Sequence, residues 1–332
     1  TVCKHKMGAA CTYAQKKRHP AKLPTKLTEP RTNHENSIDK TTVWNKELLH
    51  HQNSISVFKR NKPELFEEFL IKGPPDAYRW EVWKMALSYC TSQNNYELLN
   101  VECSDEDDLA IRKDLDRTFP ELGYFSRGAI GQRALYNVLT AFTSSHPEIG
   151  YCQGMNYITG VLLLVSQGNE GETYGMLECM FERLDLKRCY EANFPLVKEL
   201  CTMFHEALET HYKSVARHLQ EQDMNDHFWL VKWYLTLFSY SLSFHTVLRI
   251  WDAIFAKGIY YLVNVTLAIV SIFKKEILSK QLGEILQSLP SLNEVPFDDD
   301  YLIESSLKFE FYFDISLEDT DKSSSEFSNQ SS

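Results

Sequence analysis

An all-α domain of a dozen or more short helices is the fold class this sequence predicts, and three observations predict it. Apolar residues recur with a 3.6-residue period along most of the chain. Convincing period-2 runs joined by hairpin turns are missing, apart from a short candidate at Lys308 to Phe313. The chain has 332 residues of which 43% are apolar, enough to fill a large core without stapling. No internal repeat of fixed length is present, so a solenoid is not expected.

The elements follow in order. A helix begins after Pro74 and Pro75, where proline suits a first turn, and it buries Trp80, Trp83 and Leu87. Ile111 and Leu115 anchor another, which should end near Arg117 or Thr118 because Pro120 pushes Phe119 toward an extended backbone. Leu135, Val138, Leu139 and Phe142 line one face of a third. Further helical stretches run from Met155 to Val165, Val197 to Leu219, Phe228 to Leu237, His245 to Phe255 and Tyr260 to Leu278. The uncharged runs Trp233 to Phe244 and Gly258 to Phe273 fall short of the roughly 20 residues that span a bilayer, and so read as buried helices.

Residues 1–42 carry few large apolar side chains, three prolines and eight Lys or Arg up to His34 (Lys4, Lys6, Lys16, Lys17, Arg18, Lys22, Lys26, Arg31) against Glu29 alone. They read as a flexible basic arm, either a solvated leader or an attachment to an anionic surface. Residues 316–332 form a Ser-rich acidic tail, leaving 43–315 as the folded domain. The formal charge of −10 describes an acidic protein rather than a nucleic-acid binder. Eight scattered cysteines with no CxxC pair point to a reducing compartment. No apolar segment with a small-residue cleavage site opens the chain, so no secretory signal is expected, and a first residue of Thr1 reads as a fragment.

Three blocks put polar residues where a plain core pattern has no need of them. In Arg79-Trp80-Glu81-Val82-Trp83, Arg79 and Trp83 share a helix face and can make a cation–π contact, although an Arg lying over a Trp at a core edge is also an ordinary packing motif. In the block from Ile111 to Pro120, Arg117 stands at the lip of a loop, free either to reach another molecule or to complement the helix dipole, and Asp114 can hold its base. In Tyr151-Cys152-Gln153-Gly154-Met155-Asn156, Gln153 precedes a buried helix with its carboxamide outward, able to align a water or to cap its own helix. Gly154 permits close approach of a partner backbone.

Two other signals lead nowhere. His205-Glu206 and His211 miss the zinc-protease spacing, because Glu209 stands where the second His belongs, so no metal is expected. Cys152 at a helix entrance could imitate a thiol nucleophile, yet no pattern assigns it a His partner. No glycine-rich phosphate cradle is present.

The chain from Leu70 to Leu289 resembles the TBC domain of Rab GTPase-activating proteins. Its signature blocks R-x-x-x-W, I-x-x-D-x-x-R-T and Y-x-Q-G-x-N are matched in order by Arg79 to Trp83, Ile111 to Thr118 and Tyr151 to Asn156. The second half adds a W-Y-L-x-L-F at Trp233 to Phe238 and an R-I-W-D…G at Arg249 to Asp252 and Gly258. One departure is Pro74, which replaces the aliphatic residue of the family's G-I-P-x-x-x-R. The resemblance implies a domain of two helical subdomains and a GTPase activator without hydrolytic activity of its own, its partner a GTP-bound Rab-family small GTPase that brings both GTP and Mg²⁺. Arg117 would be an arginine finger and Gln153 would stand in for the GTPase's own glutamine. Asp114, Thr118, Arg79 and Trp83 would keep the finger loop in place, and Tyr151, Gly154 and Asn156 would shape the loop that presents Gln153. Arg249, Trp251 and Asp252 read as packing with an internal ion pair. The resemblance also implies a cytoplasmic protein in vesicle trafficking, brought to endomembranes through its GTPase or the basic arm. A GTPase-binding scaffold that leaves hydrolysis unchanged, or a thiol enzyme built on Cys152, are the alternatives.

Overall fold

Helix-forming periodicity and side-chain caps divide the chain into short rods. In a computed structural model, residues 34–89, 96, 103–289, 292 and 295–309 are described. Among them stand seventeen α-helices and no strand. The first four are α1 (His34–Leu49), α2 (Ile55–Asn61), α3 (Pro63–Lys72) and α4 (Asp76–Ala86). Next come α5 (Asp105–Leu115), α6 (Ile130–Ser145), α7 (Met155–Val165), α8 (Glu170–Arg183) and α9 (Lys187–Tyr190). The second half holds α10 (Pro195–His211), α11 (Lys213–Glu221), α12 (Leu230–Leu235), α13 (Phe244–Lys257), α14 (Tyr261–Ile272), α15 (Lys274–Ser279), α16 (Leu282–Ser288) and α17 (Asp299–Ser306). Ser54, Ser104, Asn169, Ser243 and Asp298 each accept a backbone N–H in the first turn of the helix that follows, which satisfies donors a helix start leaves open.

The apolar faces meet where the periodicity places them. Leu135, Val138, Leu139 and Phe142 of α6 are fully buried, and α6 packs against α5, α7 and α8. Helix α7 is buried at every residue from Met155 to Leu164, so it is the central rod of the first half. In the second half α14 plays that part, with α10, α13, α15 and α17 around it. Helices α3 and α4 dock on α13, and one continuous core of buried side chains joins the two groups. No helix among the described residues is long and apolar enough to cross a membrane.

Several expectations are corrected. Residues 34–42 belong to α1 rather than to an arm, and the helix is anchored by Trp44 and Leu48, both buried; residues 1–33, like the tail 316–332, lie outside the described residues. The stretch from Val197 to Leu219 is broken at Tyr212, whose ring packs on Phe309 and whose hydroxyl donates to Ser271 Oγ at 2.8 Å. The stretch from Tyr260 to Leu278 breaks likewise at Phe273, stacked edge-on to Phe297. At Leu307 and Lys308 the chain turns, and the rest of the expected strand beyond Phe309 lies outside the described residues. In each case a tertiary contact overrides a local preference.

Gly73 shows what the Gly-Pro-Pro entrance to α4 does. Its φ is +89°, and a Cβ there would collide with the Arg249 guanidinium, which donates to Ile71 O at 3.1 Å. Glycine is needed for the left-handed turn and for the close approach alike.

Candidate functional site

The loops after α5 and before α7 are tied together by side chains at their bases. Helix α5 ends at Leu115, two or three residues short of the expected Arg117 or Thr118, because its last carbonyls find other partners. Thr118 Oγ1 donates to Asp114 O at 2.8 Å, and Arg117 N–H closes a tight turn onto the same oxygen at 3.1 Å. Phe119 is not extended but left-handed, with φ +45°. Such a backbone is strained for an aromatic residue before proline. Packing holds it: the ring lies against Tyr157 and Phe125, and a Cβ on Gly160 would come within 2.8 Å of it.

The turn throws the Arg117 side chain outward, 59% exposed, with its guanidinium 3.4 Å from Asp114 Oδ1. Asp114 itself is buried and accepts from the Tyr151 hydroxyl on its other oxygen at 2.8 Å. Burial, and then the Asp114 charge and hydrogen bond, push the Tyr151 hydroxyl far above the ordinary tyrosine range, so it stays a donor. The Tyr151 backbone N–H donates to Asp107 Oδ1 at 2.7 Å, pinning the loop's start to the first turn of α5.

Asn156 joins the two loops directly. Buried to 1% exposure, it donates through Nδ2 to Thr118 Oγ1 at 2.7 Å and accepts the Gly154 N–H on Oδ1 at 3.0 Å. Gly154 has φ +117° and backs onto Leu235 O, which a Cβ would approach to 3.0 Å. Tyr190 donates to that same carbonyl at 2.5 Å, so α9 and α12 form a wall behind the loop. Gln153 then points to solvent, and among the described residues its carboxamide makes no hydrogen bond. Two long polar side chains, one cationic and one able both to donate and to accept, thus project from neighbouring, cross-braced loops.

Of the nine residues singled out from the sequence, Asp114, Arg117, Thr118, Tyr151, Gln153, Gly154 and Asn156 are brought together here. Arg79 and Trp83 are not. Their polar groups converge on Asp252: Trp83 Nε1 donates at 2.7 Å, and Arg79 Nε and Nη2 at 3.3 and 3.4 Å. Arg249 Nη1 reaches the same carboxylate at 3.3 Å, the internal ion pair expected for that block. Burial works against the charge on Arg79, but Asp252 and Asp76 more than offset it and hold its pKa above the usual value. This cluster fastens α4 to α13 and does not touch the finger loop. Trp251, fully buried beside it, donates to Leu237 O at 3.0 Å.

Sequence reasoning passed over Tyr157, Leu235 and Tyr190. Only Tyr157 had a readable signal, a phenol at the head of an apolar run four residues after Gln153. Cys152 has the opposite environment to a nucleophile's, since burial and then Asp114 raise its thiol pKa. His205, from the rejected zinc pattern, is occupied by Asp226 at 3.0 Å.

Comparison with known proteins bears on the same residues. The family model of the Rab-GTPase-TBC domain matches residues 76–278, which contain both loops. Human TBC1 domain family member 1 is 29% identical over 277 residues, 78% of this chain and 23% of that protein. Growth hormone-regulated TBC protein 1-A of Danio rerio is 32% identical over 223 residues, 65% of this chain and 62% of that one. The chain therefore spans less than a quarter of the length of the first relatives it matches. Among solved structures, the Chlamydomonas flagellar RabGAP TBC domain superposes with a TM-score of 0.68 at 24% identity, covering 85% of this chain and 96% of that one, a likeness of fold.

Proposed function

The chain belongs to the Rab-GTPase-TBC domain family, and from that premise we propose that it accelerates GTP hydrolysis on a Rab-type small GTPase by inserting Arg117 and Gln153 into the partner's nucleotide site. The observation that carries the reading is the pair of exposed side chains on two loops braced by Asn156, Thr118, Tyr151 and Asp114.

Phosphoryl transfer spreads negative charge over the γ-phosphate and the bridging oxygen. A guanidinium held beside those oxygens stabilises the charge, and a carboxamide accepts from and donates to the attacking water so that it lies in line. An arginine finger supplies roughly 10³- to 10⁵-fold in rate, about 4–7 kcal/mol of barrier. The brace matters because an Arg or Gln on a slack loop would lose that energy in ordering itself on the partner. In the free protein Asp114 holds the Arg117 head at 3.4 Å, close enough to limit its wandering and exposed enough to be released to phosphate. The protein needs no cofactor of its own in this scheme; GTP and Mg²⁺ belong to the GTPase.

Phosphate release from a panel of purified GTP-loaded Rab proteins tests it. At least one should hydrolyse faster with the wild-type chain, and Arg117→Ala or Gln153→Ala should remove the stimulation while the variants remain folded. Stable binding to a GTP-loaded Rab with unchanged turnover would replace the activator by a scaffold.

A further inference from the structure

The backbone of the finger residue has its own support, and that support reaches the surface. Tyr157 donates its hydroxyl to Arg117 O at 2.6 Å. Its ring stands edge-on to Phe119 on one side, centroids 5.3 Å apart, and edge-on to Tyr240 on the other, 5.1 Å apart. Burial first, then Tyr240 and the nearby acids, push the Tyr157 pKa upward, so the hydroxyl keeps the proton it donates. Tyr240, just beyond α12, is 39% exposed, and the Lys232 ammonium lies 3.2 Å from the centre of its ring. Among the described residues the ring is the only partner found for that ammonium.

An exposed aromatic ring with an unneutralised cation on its face is a poor way to end a domain and a good way to meet a partner. Tyrosine offers a large rigid contact area at small entropic cost, and aromatic anchors of this kind dominate binding energy at protein interfaces. The complement is an acidic side chain flanked by apolar surface. On a chain of net charge −10, a positive feature beside the two fingers selects such a partner against the background repulsion. We propose that Lys232 and Tyr240 form a docking contact for an acidic, partly apolar patch of the GTPase, and that Tyr157 is a positioning residue that carries this contact to the Arg117 turn. The proposal rests on the hydrolysis reading above and adds to it where the GTPase seats and how seating stiffens the finger.

The experiment is single-turnover hydrolysis by a responsive Rab at several concentrations of the full chain, so that the maximal rate separates from half-saturation. Tyr157→Phe keeps both ring contacts and removes only the hydroxyl. It should lower the maximal rate about 2- to 12-fold, the equivalent of one hydrogen bond, with half-saturation unchanged. Lys232→Glu should raise the half-saturating concentration about tenfold or more and leave the maximal rate alone, and Lys232→Arg should restore it. Hydrogen exchange at residues 116–119, read without any GTPase, should be faster in Tyr157→Phe than in the wild type. If Arg117→Ala abolishes stimulation while Tyr157→Phe and Lys232→Glu behave as wild type, this inference is wrong and the hydrolysis reading stands. If the wild-type chain stimulates no GTPase, the hydrolysis reading fails first. Unchanged exchange at 116–119 refutes the positioning role in either case.

Discussion

Asn156→Ala separates bracing from folding most sharply. The side chain contributes two hydrogen bonds in a fully buried position, to Thr118 Oγ1 and from Gly154 N–H. Thr118 keeps its own donation to Asp114 O, so it loses an acceptor role and no more. The Gly154 N–H is left buried without a partner, which costs ~1–3 kcal/mol, and the lost bond to Thr118 adds ~0.5–1.5, so the folded state should weaken by ~1.5–4.5 kcal/mol. That leaves a molecule still folded at 20 °C if its starting stability is typical. The larger effect should be on catalysis, because the start of α7 loses its tie to Thr118 and only Tyr151 on Asp114 and Tyr157 on Arg117 O still link the two loops: a misplacement of about 1 Å costs on the order of 10²-fold in rate. Urea unfolding gives the first quantity and single-turnover GTP hydrolysis at saturating protein the second. A cycle with Thr118→Val should show coupling of ~0.5–3 kcal/mol, because the two side chains meet. Loss of stability with full stimulated hydrolysis would refute the claim that the cross-brace positions the fingers.

Three further outcomes are expected. Gly154→Ala must place a Cβ at φ +117° and 3.0 Å from Leu235 O, so both melting temperature and stimulation should fall, by ~1–3 kcal/mol in stability; wild-type values in both would show that the wall behind Gln153 yields freely. Asp252→Asn strands Arg79 and Arg249 without their shared charge and should cost ~3–5 kcal/mol in urea unfolding, while stimulation per folded molecule stays normal because the cluster does not touch the loops. The third is a pH effect: a hydrogen bond to Glu178 raises the His146 pKa above 6.5 against the pull of burial, so its stabilisation is complete below 6.5 and is lost as pH rises through the raised value. The melting-temperature gap between wild type and His146→Gln should therefore be wider at pH 6 than at pH 8.5, and a gap independent of pH would remove the charge from the explanation.

Legibility in the sequence followed the range of the force involved. Helices α4, α6, α7 and α13 were readable because an apolar stripe at 3.6-residue spacing is a local record of burial. The exposure of Arg117 and Gln153 was readable for a similar reason, since one ends a helix before a proline and the other stands between two glycines ahead of an apolar run. Phe119 was misread because the rule for a residue before proline weighs only its own sterics, and Tyr157, Phe125 and the notch at Gly160 outweigh them. The break at Tyr212 and the wall at Leu235 depend on partners 59 and 45 residues away, and nothing in the neighbouring letters marks them.

The misplacement of Arg79 and Trp83 explains why blocks that recur together in sequence need not meet in space. Asp252 is wholly buried and accepts from Arg79, Trp83 and Arg249, while Asp76 and Asp300 sit on the outer sides of the two guanidiniums. With Lys40 on Asp300 at 3.1 Å, three cations are thus matched to three carboxylates, and a buried charge left over on either helix would cost more than the pairing returns. Such a cluster rejects any docking of α4 on α13 that is out of register, because a shift of one turn would strand all of it. Its contribution is to that docking and not to the finger loops. The strain at Phe119 is held instead by Tyr157, Phe125 and the notch at Gly160, and the positive φ at Gly154 by the wall at Leu235. With those local contacts and the Asn156, Tyr151 and Tyr157 hydrogen bonds, the two loops can stay exposed without becoming slack.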